Sequence, residues 1–496
     1  MKTLWLTAAP NDGRAPRKPQ LRAGVCFGIT AILLVALAAA IRVYGALNEL
    51  WLDEILTVNL AGQIASPWEV FTKIHLENNH YLTTLWIGFL GPQANWLGCR
   101  LPSLVAGAGT VVLAGLICRR QSNTSAFLAM LLVAFSYVMV LYSGEARGYA
   151  LAVFFSFLGF YLLDLHLRTG SHWVALLFAL SVVLGFLAQM VCLSFYLAAL
   201  AWSALWWIRS GLKRRQLLAA ALACHALPLS CLTLLYFADL RYLQNLGGTA
   251  SPSLLHSYGN ALAWALGPST RHGLQFAAAI LAVAVLAAGT VLLWKEKSGW
   301  WFFFTAVVLV SPVLLALARG SLVLYVRYFI VAIAFLLLLG AMVLASLCQR
   351  GWPGKALCLL LLLGYLLVNG WQTAKLFRYG RGQYREAIGF LSQHSTTPLV
   401  TIASDQDFRT STMLQFYAPA AMAPKQGRYV PQGAWPPEGP EWIICQKESF
   451  EEPMPPVSAL QDERTNRYDF VKAFPTAPLS GLHWFLYHNR SNAAPN

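Results

Sequence analysis

The chain is 496 residues long, 57% hydrophobic and only 11% charged, whereas soluble domains are about half apolar and about a quarter charged. That balance excludes a soluble protein and suits a stack of bilayer-spanning helices. The net charge of +15 does not point to nucleic acid: the tail from Lys375 holds 12 basic and 11 acidic residues, so the excess lies between hydrophobic segments, where it orients helices.

At the N-terminus, Arg14, Arg17, Lys18 and Arg22 precede an apolar run reaching about Ala46. This run is too long for a cleaved signal peptide and reads as a first span with its N-terminus in the cytoplasm. Basic clusters then set the topology. Arg119-Arg120, Arg209 with Lys213-Arg214-Arg215, Lys295 with Lys297, and Arg350 with Lys355 belong on the cytoplasmic side. That rule predicts about eleven spans, near 24–46, 101–118, 124–142, 148–167, 173–190, 192–208, 217–238, 273–294, 300–318, 323–347 and 356–374. The apolar Tyr81–Leu90 is too short to cross a hydrocarbon core of about 30 Å. It is expected as a juxtamembrane helix lying in the interface within a long outer loop over 47–100.

A second outer loop is expected over 239–271. Residues 1–374 then form the transmembrane domain and 375–496 a small outward domain. In that tail, 383–393 is helix-like, 398–403 and 441–445 are strand-like, and the Pro-rich 434–440 and 452–456 are loops. The expected fold is an all-α polytopic membrane bundle with juxtamembrane helices and a small C-terminal α/β domain. Nine cysteines lie mostly in apolar runs without a CxxC, which supports neither a disulfide framework nor a metal ribbon.

Four polar groups stand out against this background. Asp53-Glu54, just past the first span, suit a general base, a metal ligand or a solvated helix N-terminus. Glu77-Asn78-Asn79-His80-Tyr81 precede the interfacial helix and suit a sugar, a phosphate or a cation, or simply a helix cap. Glu145 and Arg147, in Tyr142-Ser143-Gly144-Glu145-Ala146-Arg147-Gly148-Tyr149, occupy a hairpin that needs no acid–base pair, and arginine is the natural planar partner of phosphate. Arg327-Tyr328 lie near the outer end of a late span, where an arginine either snorkels or faces a cavity. Asp164 reads as a structural residue at a cytoplasmic end.

In order and spacing, Trp51-Leu52-Asp53-Glu54, Asn78-Asn79-His80-Tyr81-Leu82, Arg100-Leu101-Pro102-Ser103-Leu104 and Glu145-Ala146-Arg147-Gly148-Tyr149-Ala150-Leu151 resemble the type-C glycosyltransferases, specifically the protein O-mannosyltransferases and the lipid A aminoarabinose transferases. The resemblance covers mainly 45–170. It implies an inverting transferase that takes a sugar from a polyprenyl-phosphate carrier and places it on an extracytoplasmic lipid, glycan or protein. Asp53 is then the candidate base, with Glu54 supporting it or helping to hold a divalent cation, the one cofactor left open. Asn79, His80, Tyr81, Arg100, Glu145, Arg147, Tyr149, Arg327 and Tyr328 form the implied substrate-binding set, with Arg147 and Arg327 on the departing phosphate. Many members carry two prolines after the position of His80; Tyr81-Leu82 stand there here, which leaves the sugar open. The implied partners are the lipid-linked sugar, an unnamed acceptor and membrane lipid, at a bacterial inner membrane with the site facing the periplasm or exterior. No WWDxG motif of oligosaccharyltransferases occurs. The competing class is a secondary transporter or polysaccharide flippase, disfavoured because no internal repeat or midplane polar site is evident.

Overall fold

The computed structural model describes residues 18–91, 93–243, 253–267, 272–319, 324–448 and 457–490. Expectations resting on Arg14, Arg17, the loop at 452–456 and parts of 239–271 lie outside the described residues. Among the described residues, nine helices are long and apolar enough to cross a membrane, or ten if one bent pair counts as a single span. The expected span near 173–190 is the 17-residue helix His172–Ala188. The chain is an integral membrane protein, a helical bundle carrying a small C-terminal sheet domain. Between the first span, Lys18–Gly45, and the next, Trp96–Cys118, lie helices Leu52–Ala61, Glu69–Thr72 and Tyr81–Leu90. The last begins and ends where its hydropathy does.

Two expectations need correction. The span predicted over 124–142 is not continuous: helices Asn123–Phe135 and Tyr137–Ser143 meet at Ser136 with a 59° bend. A break inside a bilayer frees backbone groups that no water satisfies, so other side chains must satisfy them. Arg42, fully buried in the first span, donates to the carbonyls of Val133 (3.0 Å) and Ala134 (3.1 Å) and to Ser143 Oγ (3.3 Å). Asn369 Oδ1 accepts from the Tyr137 N–H at 2.8 Å, and the Tyr365 hydroxyl donates to the Leu132 carbonyl at 2.7 Å. The break is thus capped from both sides by the first and last spans. The second correction concerns 239–271, expected as loop: it contains the helix Leu254–Ala265. Tyr258 of that helix donates to the Val308 carbonyl, within a π-helical turn, Ala306–Val310, that would otherwise leave backbone acceptors unpaired.

The tail is a six-stranded sheet built from β1 (Leu399–Ser404), β2 (Gln426–Tyr429), β3 (Trp442–Glu448), β4 (Ala459–Gln461), β5 (Arg467–Phe474) and β6 (Leu482–Asn489). Their order is β2-β1-β3-β6-β5-β4, with β1 parallel to both its neighbours and the remaining pairs antiparallel. Helices Tyr384–His394 and Asp407–Ala421 bury Ile388, Leu391 and Met413 against Ile402, Ile444 and Trp484 of the sheet. Leu50, Trp51, Leu52 and Ile55, between the first span and the next, join this same core. The Tyr417 hydroxyl donates to the Leu50 carbonyl at 2.6 Å. The tail is therefore packed onto the loop that carries Asp53.

Replacing Arg42 with leucine strips donors from two carbonyls and a hydroxyl at the break. The expected loss is about 2 kcal/mol or more of stability, read as a lower Tm of the detergent-solubilised protein; an unchanged Tm would contradict the capping role.

Candidate active site

Residues 144–148 link the bent span to helix Tyr149–Thr169, and this turn is fixed residue by residue. Glu145 Oε1 accepts from Arg381 Nη1 at 2.6 Å, the Ala146 N–H donates to Glu54 Oε1 at 2.7 Å, and the Arg147 carbonyl accepts from Ser103 Oγ at 2.9 Å. A Cβ at Gly148 would lie 1.7 Å from the Ala188 carbonyl oxygen, so only glycine lets the backbones approach.

The adjacent carboxylates have opposite fates. Glu54 sits in the first turn of helix Leu52–Ala61 and is fully buried. It takes a two-point contact from Arg100, Nε to Oε1 at 2.8 Å and Nη2 to Oε2 at 2.6 Å, and returns to the Trp51 N–H at 3.3 Å. Arg100 spends its remaining donors on the carbonyls of Ala46, Asn48 and Glu49. Expected at the chemistry, both residues instead lie behind the cavity wall and hold the loop 46–54 in place. Burial alone would raise the Glu54 carboxyl, but the charge and hydrogen bonds of Arg100 outweigh it and hold it below its ordinary value.

Asp53 points the other way, into a cavity of about 780 Å³. Its Oδ2 lies 2.7 Å from Arg147 Nη1 and 3.3 Å from Arg327 Nη2. Its Oδ1 accepts no hydrogen bond among the described residues. Asn78 donates to the Asp53 carbonyl at 2.8 Å and fixes the backbone. The two arginines are not equivalent. Arg147 is buried and uses Nε on His80 Nε2 (3.0 Å), Nη1 on Asp53 and Nη2 on Asn78 Oδ1 (2.7 Å), with Tyr149 5.0 Å beneath its guanidinium. Arg327 has the looser contact to Asp53. Its buried Nε has no partner among the described residues, and it stacks on Tyr325 at 4.2 Å. Trp51 lies between them, 5.8 Å from Arg147 and 5.7 Å from Arg327.

Because Arg147 donates to His80 Nε2, that nitrogen must carry a lone pair and the His80 proton sits on Nδ1. Burial, then the charges of Arg147 and Arg327, push the His80 imidazole well below its ordinary value and keep it neutral. Burial pushes the Glu145 carboxyl up against the pull of Arg381. Asn79 braces the loop through the Val70 and Ile74 carbonyls. Tyr328 donates to Glu77 Oε1 at 2.8 Å on the cavity wall. Tyr81 donates to Asp239 Oδ2 at 2.5 Å, and His75 Nδ1 lies 2.6 Å from Oδ1. This His75–Asp239–Tyr81 cluster escaped the sequence reading, because Asp239 reads as an ordinary residue after a span. Also unforeseen were Phe408, Arg409 and Glu448 of the tail, which roof the cavity. Apolar side chains, including Phe186, Leu193, Leu315 and Leu324, line its other flank.

A divalent cation is poorly served here. Among the described residues no group of three His, Cys, Asp or Glu side chains has metal-holding geometry, and Asp53 is flanked by two guanidinium charges.

No family model matches the chain, and no curated protein matches it in sequence. Among solved structures it is similar to ArnT from Cupriavidus metallidurans in the apo state, with TM-score 0.52 and 10% identity over 94% of this chain and 99% of that one. The same ArnT bound to undecaprenyl phosphate gives TM-score 0.47 at 10% identity, over 95% and 99%. The Archaeoglobus fulgidus oligosaccharyltransferase, in complex with Zn and sulfate, gives 0.49 at 12% identity, over 83% and 68%. The likeness to ArnT spans nearly the whole of both chains and is one of fold.

A carboxyl held below its unfolded value stabilises the fold above that value, and the contribution is lost as pH falls through the lowered one. Glu54→Gln, which leaves Arg100 buried and unpaired, should cost about 3–5 kcal/mol at neutral pH. It should also flatten the loss of Tm that the parent protein shows below its ordinary carboxyl value of 4.5.

Proposed function

We propose that the chain is a membrane glycosyltransferase that moves a sugar, with inversion, from a polyprenyl-phosphate donor to a hydroxyl or phosphate of an extracytoplasmic acceptor. One observation carries the reading: Asp53 has one oxygen held by two arginines and the other free in a cavity with an apolar flank and a polar end. The apolar flank suits a lipid tail. Arg327, which lines the cavity with only a 3.3 Å contact to Asp53, suits the phosphate. In this reading residues 1–374 carry the chemistry and 375–496 supply the roof. The basic clusters support a site on the face away from the cytoplasm, and the resemblance suits a bacterial inner membrane.

Chemically, Asp53 Oδ1 accepts the proton of the acceptor as its oxygen attacks the anomeric carbon. The bond from that carbon to the phosphate oxygen breaks, and the lipid phosphate leaves with the electron pair. Arg327 offsets the charge that grows on it. Attack from the face opposite the departing phosphate inverts the anomeric carbon. Arg147 holds Asp53 in register instead of following the phosphate.

Asp53→Asn keeps the shape of the side chain and removes the base. Transfer of radiolabelled sugar from a panel of undecaprenyl-phosphate sugars to an envelope extract should drop by about 10²–10⁴-fold, with donor binding retained. An undiminished rate would remove Asp53 as base. Solute movement by proteoliposomes with no sugar transfer would point to a transporter instead.

A further inference from the structure

The mechanism leaves the buried charge of Arg381 unused. Arg381 is the first strongly basic residue after the last span ends at Tyr379, and it is fully buried. Its Nη1 donates to Glu145 Oε1 at 2.6 Å and to Ser480 Oγ at 3.0 Å, and its Nη2 donates to the Leu141 carbonyl. One planar fork therefore ties together the end of the bent span, the 144–148 turn and the loop before β6. The backbone around it is tight. A Cβ at Gly481 would lie 1.8 Å from the Arg381 carbonyl oxygen, and one at Gly144 would lie 3.3 Å from Arg381 Nη2. The Ala477 N–H donates to the Gly380 carbonyl at 2.9 Å.

Glu145 is two residues from Arg147, and Ala146 between them is held by Glu54. A shift at Glu145 therefore reaches Arg147, whose nitrogens set Asp53, Asn78 and His80. A lone buried pair is weak evidence of stability, because desolvation cancels much of its attraction. The geometry here is specific instead: a fork reaching three acceptors on two domains, which a lysine ammonium, a point donor on a flexible stem, does not reproduce.

We infer that Arg381 is a positioning residue through which the C-terminal domain sets the catalytic turn, acting via Glu145 on Arg147 and so on Asp53. The C-terminal domain is then part of the active-site framework. This inference rests on the transferase reading.

The test uses the full-length protein in lipid nanodiscs, a panel of undecaprenyl-phosphate sugars, and release of undecaprenyl phosphate as readout. Arg381→Met with Glu145→Leu removes both charges and keeps the volume apolar. The pair of substitutions should leave Tm near the parent value but lower kcat by about 100-fold, with KM for the lipid donor within about threefold of the parent. If that variant does not fold, Arg381→Lys carries the test, with a kcat loss at parental Tm expected. Parental kcat in whichever variant is folded overturns the inference, since a merely structural pair is dispensable once stability is kept. If the parent protein itself releases no undecaprenyl phosphate from any sugar of the panel, the transferase reading falls, and the inference with it.

Discussion

Burying arginine–carboxylate pairs is the constraint on which the site depends. Glu54 with Arg100, Glu145 with Arg381 and Asp53 with Arg147 each join segments distant in sequence. The first two pairs are sealed from solvent and leave no charge exposed. Their partners are fixed because a lone ion there costs several kcal/mol. Each pair thus acts as a geometric instruction: Arg100 sets the loop 46–54, Arg381 sets the 144–148 turn, and both bring Asp53 and Arg147 to one point. Only there does the arrangement open to the cavity.

The consequence is a division of labour between arginines that look alike in the chain. Arg147 has all three guanidinium nitrogens engaged, on His80, Asp53 and Asn78, and is held by three partners at once. Arg327 holds Asp53 at 3.3 Å and keeps a buried Nε unpartnered among the described residues. A ligand phosphate gains most from the second. Neutral His80 fits this scheme as an acceptor that immobilises Arg147 without competing for anions.

Much of the fold was legible because hydropathy is local. Tyr81–Leu90 was too short to span, and it is a ten-residue helix with those same ends. The break at Ser136 was not legible, since the apolar run continues through it and the residue that caps it, Arg42, lies more than ninety positions away. Adjacent Asp53 and Glu54 were both expected at the chemistry; a helix turns them about 100° apart, so one meets the cavity and the other Arg100. The resemblance placed Arg100 and Glu145 at the ligand. Their partners, visible only in three dimensions, assign them to the scaffold. The roof formed by Phe408, Arg409 and Glu448 was hidden for the same reason, since it depends on how a six-stranded sheet sits over the bundle.

The most direct test is a cryo-EM structure of the full-length protein with undecaprenyl phosphate. A phosphate oxygen is expected about 3 Å from the Arg327 guanidinium, with Arg147 still bonded to His80, Asn78 and Asp53 and the lipid along Phe186, Leu193 and Leu315. A phosphate bound away from Arg327, or an Arg147 that leaves Asp53 to meet it, would overturn the roles given to the two arginines.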